Sequence, residues 1–174
     1  ILSGKHILLI GVTGFIGKVW LSMLLEDLPD IGRIYLLIRR QGSRSPLQRF
    51  EKIISESPAF TLLYDRFGDQ LSSLLMERIE VLEGDIGEVN FGLDEEPNKR
   101  LSIKLDLIVN LAGLTDFNPD LRLAMYTNVE GPIQALVFLR NCDHASLMHV
   151  STSFVNGRID GRVKEELLPN YTPI

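Results

Sequence analysis

Apolar runs alternate with stretches of helical periodicity along the chain. A short continuous apolar run at 6–10 is typical of a strand buried on both faces of a parallel sheet. Further strands are predicted at 33–38, 78–86, 105–113 and 147–153. Helical spacing predicts helices at 15–28, from Ser45–Pro46 onward, at 69–77, and from Asn118–Pro119 to Cys142 with a kink at Gly131–Pro132. Residues 87–100 are polar and are expected at the surface. The alternation predicts the α/β class, a doubly wound parallel sheet with helices on both faces.

Three glycines follow the first predicted strand, in the stretch "IGVTGFIGKVW" at residues 10–20. Gly11, Gly14 and Gly17 would allow a tight turn, close approach of a pyrophosphate, and close packing of helix on strand. The helix that follows offers free N–H groups and a positive dipole to an anion, and Thr13 adds a hydroxyl donor. An ordinary turn is the alternative. In the helix, Ile16, Val19, Trp20, Met23, Leu24 and Leu28 are predicted to share one face.

Arginines follow the second predicted strand, where an NAD-binding domain often carries an acidic residue. Five arginines lie between residues 31 and 50 with no Asp or Glu among them. A guanidinium suits a ribose 2′-phosphate because its donors form a bidentate fork. We therefore predict NADP(H), with Arg39 as the principal contact and Arg40 as a weaker second. Arg44 and Arg49 are interpreted as part of a solvated basic face.

Polar and small residues follow the other strands at the same predicted sheet edge. Asp85 and Ile86 come after the third strand, where a carboxylate could accept from an adenine amino group or simply cap a turn. Asn110, Ala112 and Gly113 follow the fourth strand, where small residues would let the backbone pass beside the cofactor. Asn128, in the next helix, is either a site residue or a bridge between backbone groups. After the fifth strand stand three hydroxyl residues, Ser151, Thr152 and Ser153, which could donate to a substrate oxygen or cap a turn.

Composition argues against some classes of binding partner and of cellular compartment. The 174 residues carry a formal net charge of −5, which gives no general attraction to nucleic acid or to an anionic membrane. No apolar run approaches the roughly 18 residues of a membrane span, and no signal peptide is evident. The single cysteine, Cys142, fits a reducing compartment, and we expect the cytoplasm. The three histidines show no metal-ligand spacing, so no metal site is predicted.

Together these stretches resemble the extended short-chain dehydrogenase/reductase superfamily, and most closely the NAD(P)-binding domain of fatty acyl-CoA reductases, the "male sterility" type. The segments that carry the resemblance are "GVTGFIGKV", "IGRIYLLIRR", "FEKIISESPAF", "EGDIGEVNFGL", "LDLIVNLAG", "TNVEG" and "HVSTSFVNG". The resemblance implies a Rossmann fold and NADPH-dependent reduction of a fatty acyl-CoA thioester to an aldehyde, an alcohol or both. It also implies contacts with the pyrophosphate from Gly11, Thr13, Gly14, Phe15, Ile16 and Gly17. Arg39 would meet the 2′-phosphate, Asp85 and Ile86 the adenine, and Thr152, with Ser153 beside it, would be the active-site hydroxyl.

The sequence departs from the family pattern in three places. Ile10 stands where many relatives have Thr, and Asn110 stands where His is common. Three of the four tyrosines have no Lys four residues later: Tyr35 is followed by Arg39, Tyr64 by Gly68 and Tyr126 by Glu130. Tyr171 is too close to the last residue to test. The superfamily uses that pair as its acid and ribose contact. We therefore expect an incomplete domain, cut after about five strands, that binds nucleotide without turning over substrate.

Three alternatives stay open for the parent protein. One is a reductase domain that takes a carrier-bound thioester, and another is a nucleotide-sugar epimerase or dehydratase of the same superfamily. The third is a non-catalytic protein that senses NADP. The arginines after the second strand and the long segment 41–78 count against the epimerase, because such enzymes more often use NAD with a shorter connection.

Overall fold

Five parallel strands form the centre of the molecule. The computed structural model describes residues 2–152, 155, 157 and 160–166. The strands are β1 (Ile7–Ile10), β2 (Ile34–Ile38), β3 (Ile79–Glu83), β4 (Leu107–Asn110) and β5 (Ser146–His149). Their order in the sheet is β3-β2-β1-β4-β5, with Ile10 of β1 opposite Leu37 of β2 and Asn110 of β4. The chain thus reverses its direction of winding between β1 and β4, and the doubly wound sheet predicted from the sequence is confirmed.

Helices fill the connections between the strands. They are α1 (Phe15–Asp27), α2 (Pro46–Glu56), α3 (Thr61–Phe67), α4 (Leu71–Arg78), α5 (Glu95–Lys104), α6 (Leu121–Met125) and α7 (Gly131–Arg140). A π-helical turn (Tyr126–Glu130) joins α6 to α7, and short 3-10 turns lie at Pro58–Phe60, Gly68–Gln70 and Val89–Gly92. No helix in the part of the chain that the structure describes is long and apolar enough to cross a bilayer.

Alternate residues of the central strands enter two separate apolar cores. Ile7 and Leu9 of β1 pack on one side of the sheet, in the cluster that contains residues of α1 to α4. Leu8 and Ile10 pack on the other side, with residues of α5 and α7. All four β1 residues are buried because helices cover both faces, which is why the strand is a continuous apolar run.

Two helix starts illustrate how local chemistry sets the boundaries. The Ser45 side chain accepts from the Gln48 amide (3.2 Å), while the Gln48 side chain accepts from the Ser45 amide (2.9 Å), and Pro46 follows as the first helical residue. This start is as predicted. The α6 start is two residues later than expected, because Asp120, rather than Asn118, caps the helix through the Leu123 amide. The expected irregularity before Pro132 takes the form of the π-helical turn.

Two expectations about burial were met in part. Residues 87–100 are exposed or half-buried as expected, except Phe91, which is fully buried. Along α1, Leu24 is buried as predicted, whereas Ile16 and Met23 are more than half exposed and Leu21 and Leu25 are buried in their place. The cause is that α1 is apolar almost all round, so its pattern does not distinguish the core face from its neighbours.

Phe91 fixes the loop that follows β3. Its ring is fully buried and lies 4.8 Å from that of Phe138, centroid to centroid. Asn90 and Phe91 both have positive φ, 51° and 59°, a conformation that costs a non-glycine residue about 1 kcal/mol or more. The burial of the ring offsets that cost and holds the loop beside the ends of the strands.

We predict that Phe91→Ala lowers the free energy of unfolding by about 3–5 kcal/mol, because the cavity left in the core cannot fully collapse. Phe117→Ala is the control, since the Phe117 side chain is 99% exposed, and should change stability by no more than about 0.5 kcal/mol. Urea denaturation of both variants measures the difference. Equal midpoints for the two would contradict the burial of Phe91.

Candidate functional site

A cleft opens at the carboxyl ends of the strands, at the point where the winding reverses. It is lined by the loops that follow β1, β2, β3 and β4, together with one residue from α2 and one from the π-helical turn. Ligands of open α/β sheets bind at this place because the loops on either side diverge there. The lining residues are Ile10, Gly11, Thr13, Gly14, Leu37, Ile38, Arg39, Arg49, Gly84, Asp85, Ile86, Leu111, Ala112, Gly113 and Thr127.

The glycine loop is closely packed against its neighbours at two of its three glycines. Gly11 has φ +92°, and a Cβ there would lie 2.5 Å from the Ala112 nitrogen in the loop after β4. A Cβ on Gly17 would overlap the Gly11 carbonyl oxygen and lie 2.7 Å from the Val12 Cα. At Gly14, by contrast, a Cβ would only touch the Gly11 oxygen, at 3.4 Å. Gly11 and Gly17 are therefore required for packing, whereas Gly14 leaves space on the cleft side.

The start of α1 is suited to an anion. Gly14 caps the helix with no side-chain hydrogen bond, and the first turn contains no acidic residue. The first N–H groups of the helix are therefore free of intrahelical partners and of a side-chain cap. The side chains of Phe15 and Ile16 are 79% and 55% exposed, so they do not cover the helix end. The start of α1 therefore offers N–H donors and the positive end of the helix dipole to an anion such as a diphosphate.

Two guanidinium groups form one wall of the cleft. Arg39 follows β2, is 60% exposed, and lies 3.8 Å from Asp85, Nη1 to Oδ2. Arg49 reaches the cleft from α2, and its Nη1 donates to the Arg39 carbonyl oxygen. Burial, and then the charge of Arg39, lower the pKa of Arg49. Arg49, expected on a solvated face, lines the cleft instead, because α2 turns that residue toward the sheet edge.

Arg40 points away from this wall. Its guanidinium donates twice to the Glu83 carboxylate at the end of β3, at 2.8 and 2.9 Å, and it is absent from the residues that line the cleft. Binding of a 2′-phosphate by Arg40 would require that fork to open. The geometry therefore favours Arg39 and Arg49 over Arg40 as contacts for a phosphate.

The loop after β3 holds Asp85 and Ile86 in the cleft wall. Asp85 Oδ1 accepts from the Gly87 amide at 3.1 Å, and the Asp85 amide donates to the Phe91 carbonyl at 2.9 Å. The buried Phe91 thus fixes the position of this loop through its backbone carbonyl. The carboxylate is 22% exposed and lies beside Arg39. Both roles considered for Asp85, cofactor contact and turn residue, fit this position.

The loop after β4 is held by two asparagines. Asn110 is fully buried, its Oδ1 accepts from the Ala112 amide at 3.0 Å, and its Nδ2 has no partner among the described residues. Asn128 binds Leu114 on both sides, through Oδ1 at 2.7 Å and Nδ2 at 2.9 Å. Asn128 therefore bridges backbone groups, the second of the two roles expected for it. Its neighbour Thr127, which the sequence analysis did not single out, lines the cleft.

Thr152 lies past the end of β5, at the same edge of the sheet as the glycine loop. It is exposed, and its carbonyl oxygen accepts from the Val155 amide at 3.3 Å. Its assignment as a catalytic residue stays a prediction. Ser153, its predicted partner, lies outside the described residues. Those residues contain no group of three or more His, Cys, Asp and Glu placed to hold a metal ion.

The parallel sheet, the glycine loop and the cleft at the point of reversal define a nicotinamide-dinucleotide-binding domain. The family model described as male sterility protein matches residues 9–172. This chain belongs to that family. The resemblance seen in the sequence motifs is thereby confirmed.

Named relatives agree with this assignment. "Fatty acyl-CoA reductase 1" of Arabidopsis thaliana is 33% identical over 168 residues, 95% of this chain and 34% of the relative. "Fatty acyl-CoA reductase 2, chloroplastic" of the same plant is 31% identical over 95% of this chain and 27% of its own length. The chain thus spans about a third of the length of the curated relatives it matches.

The solved structures support the same fold. The terminal R domain from the myxalamid PKS-NRPS biosynthetic pathway superposes with a TM-score of 0.71 at 29% identity. The superposition covers 95% of this chain and 40% of that one. The Rossmann-type fold is thereby confirmed.

The two kinds of glycine are predicted to respond differently to the same change. Gly17→Ala should lower the unfolding midpoint clearly, because the new methyl group would overlap the Gly11 carbonyl. Gly14→Ala should leave stability within about 1 kcal/mol and weaken dinucleotide binding. Thermal denaturation and a calorimetric titration with NADPH measure the two effects. A Gly17→Ala variant as stable as the parent would contradict the packing described for this loop.

Proposed function

We propose that this chain supplies the NADP(H) site of a fatty acyl-CoA reductase. The observation that carries the choice of cofactor is the pair of guanidinium groups, Arg39 and Arg49, on the cleft wall next to the glycine loop. A dinucleotide whose diphosphate lies over the start of α1 places its adenosine ribose toward the end of β2. A 2′-phosphate there would meet both cations, whereas a 2′-hydroxyl would bring no negative charge to this wall, where Asp85 is the carboxylate beside Arg39 at 3.8 Å.

The substrate class rests on the relatives. The curated relatives reported above are named fatty acyl-CoA reductases, which supports an acyl-CoA thioester as the substrate of the parent protein. The solved R domain comes from a PKS-NRPS biosynthetic pathway, and a reductase domain that takes a carrier-bound thioester is therefore the second candidate. Both substrate classes are reduced at the thioester carbonyl. They differ in the group that carries the thiol, which is CoA in one and a carrier protein in the other.

The bound dinucleotide would supply a hydride to the thioester carbonyl carbon. The residues of the glycine loop would hold its diphosphate, and Arg39 with Arg49 would orient the adenosine end. Thr152 follows β5 at this edge of the sheet, where its hydroxyl would donate to the carbonyl oxygen as negative charge develops. Tyr35, Tyr64 and Tyr126 have no Lys four residues later, so we assign binding and polarisation to this chain and name no residue for the final proton transfer.

Replacement of the arginines tests the choice of cofactor. Arg39→Ala and Arg49→Ala should each reduce the ratio of NADPH to NADH affinity by about 10-fold or more, the loss expected for one hydrogen bond between charged groups. Arg40→Ala is the matched comparison, since Glu83 already holds that guanidinium, and should leave the ratio unchanged. Fluorescence titration with both nucleotides gives the ratios. An unchanged ratio in both Arg39→Ala and Arg49→Ala would refute the assignment.

Activity tests the proposed substrate. The full-length protein should oxidise NADPH with long-chain acyl-CoAs, whereas the 174-residue chain alone should bind NADPH and give no turnover. Acyl groups of several lengths, each offered on CoA and on a carrier protein, distinguish the two substrate classes. Turnover by the 174-residue chain would overturn the expectation that it binds the nucleotide without reducing the substrate. The cytoplasmic location expected from the sequence stays a prediction.

A further inference from the structure

A second pocket adjoins the cleft, between the start of α1 and one face of α2. Its volume is about 380 Å³. Thr13 and Arg49 line both this pocket and the cleft, so the two spaces are direct neighbours. We call it the basic pocket, because its charged lining residues are Lys18, Arg44, Arg49, Lys52 and Glu56.

The charges in the basic pocket are unbalanced. Four cations line it with a single carboxylate, in a chain whose formal net charge is −5. Glu56 lies 3.5 Å from Lys52, Oε2 to Nζ. In the described part of the chain, Lys18, Arg44 and Arg49 form no ion pair with a carboxylate. Cations crowded in this way repel one another and attract an anion.

Local structure brings these cations together from two walls. Two backbone hydrogen bonds between Gln41 and Arg44, at 3.2 and 3.1 Å, close the turn before α2 and hold Arg44 next to the helix start. Arg49 and Lys52 are three residues apart on α2 and therefore share one helix face. Lys18, in the first turn of α1, is half-buried and lines the opposite wall. The cations thus converge on one space, unlike a basic stripe along a single exposed helix.

In the order of the sheet, the start of α1 lies between Thr152 and the basic pocket. Thr152 follows β5 and the glycine loop follows β1, two strands away, which is a lateral separation of about 10 Å. At the start of α1, the side chains of Phe15 and Ile16 are 79% and 55% exposed, and Lys18 comes two residues later. The pantetheine arm of CoA is long enough to cross this distance and carries apolar groups that suit such a surface.

We propose that the basic pocket binds the 3′-phosphate of the CoA part of an acyl-CoA substrate, beside the bound dinucleotide. The inference rests on the proposed function, since it needs an acyl-CoA that reacts at Thr152. A phosphate monoester carries about −1.5 to −2 charges at neutral pH, and lysine and arginine are the side chains that bind such a group. With Arg49 assigned to the 2′-phosphate of the dinucleotide, the cations left for a second phosphate are Lys18, Arg44 and Lys52.

The same pocket would favour CoA over a carrier protein as the group that holds the thiol. The pantetheine arm of a carrier ends in a phosphodiester on the protein and has no phosphate monoester. It would therefore leave the three cations of the basic pocket without the anion that CoA supplies. The inference thus chooses between the two substrate classes named above.

The affinities for CoA and for 3′-dephospho-CoA test this site, because the two molecules differ only in the 3′-phosphate. Both are titrated by calorimetry into the full-length protein saturated with NADP⁺, so that the cofactor cleft is filled. We expect CoA to bind about 10-fold more tightly, the gain from one hydrogen bond between charged groups. Lys18→Gln and Lys52→Gln should each reduce this ratio about three-fold or more, and leave the ratio of NADPH to NADH affinity unchanged.

Lys99→Gln is the matched control. It removes the same charge from an exposed position of α5, a helix that packs on the other side of the sheet from α1 and α2, and should change neither ratio. Steady-state kinetics with an acyl-CoA gives a second measurement. Lys18→Gln should raise KM and leave kcat unchanged, because the 3′-phosphate is remote from the thioester carbonyl and contributes equally to the bound substrate and to the transition state.

Four results would overturn the inference and leave the proposed NADP(H) site intact. They are equal affinities of the parent protein for CoA and 3′-dephospho-CoA, and a CoA ratio unchanged in both lysine variants. The others are variants that lower the NADPH to NADH ratio alone, which would assign the pocket to the 2′-phosphate, and variants that impair only a carrier-bound substrate. A parent protein that binds neither NADPH nor NADP⁺ would overturn the proposed function and the inference together.

Discussion

Contact of backbone against backbone at Gly11 and Gly17 is the constraint on which the site depends. The start of α1 is held against the turn after β1, and that turn is held against the loop after β4, with no side chain between them. The free N–H groups at the helix start are thereby fixed beside the point where the sheet reverses its winding. The stability that holds these parts together comes from the two apolar layers on either side of β1, which reach the cleft at Ile10, Ile38 and Ile86.

Much of the fold was predictable because the central strands are buried on both faces and are apolar without interruption. Burial on both faces requires apolar residues at successive positions, so β1 and β2 are recognisable in the sequence as apolar runs. Helix α5 leaves almost none, because Leu101 is its one buried residue. Its ends did carry information, with Asp94 at the N-cap, Glu95 and Glu96 in the first turn and Lys104 in the last, an arrangement that suits the helix dipole. The residues at the two ends of α5 therefore predict this helix better than its apolar periodicity does.

The site was predictable only where a residue directly follows a strand. Arg39 and Asp85 lie in the cleft wall as expected, since the ends of neighbouring parallel strands meet at one edge. Arg49 was missed because its place depends on the direction in which α2 packs, which a basic residue on a helix does not reveal. Arg40 was predicted to contact the phosphate and does not line the cleft. Although it is next to Arg39 in the sequence, its guanidinium pairs with Glu83. Thr127 was missed as well, because the π-helical turn that brings it to the cleft leaves no local pattern in the sequence.

The central claim is that a phosphorylated dinucleotide lies across this cleft, with its diphosphate on the start of α1 and its 2′-phosphate between two arginines. A crystal structure of the protein with NADPH tests it most directly. The account predicts diphosphate oxygens within hydrogen-bond distance of the amides that follow Gly14, and a 2′-phosphate between Arg39 and Arg49. A dinucleotide bound elsewhere, or one whose 2′-phosphate faces solvent while both guanidinium groups keep other partners, would contradict it.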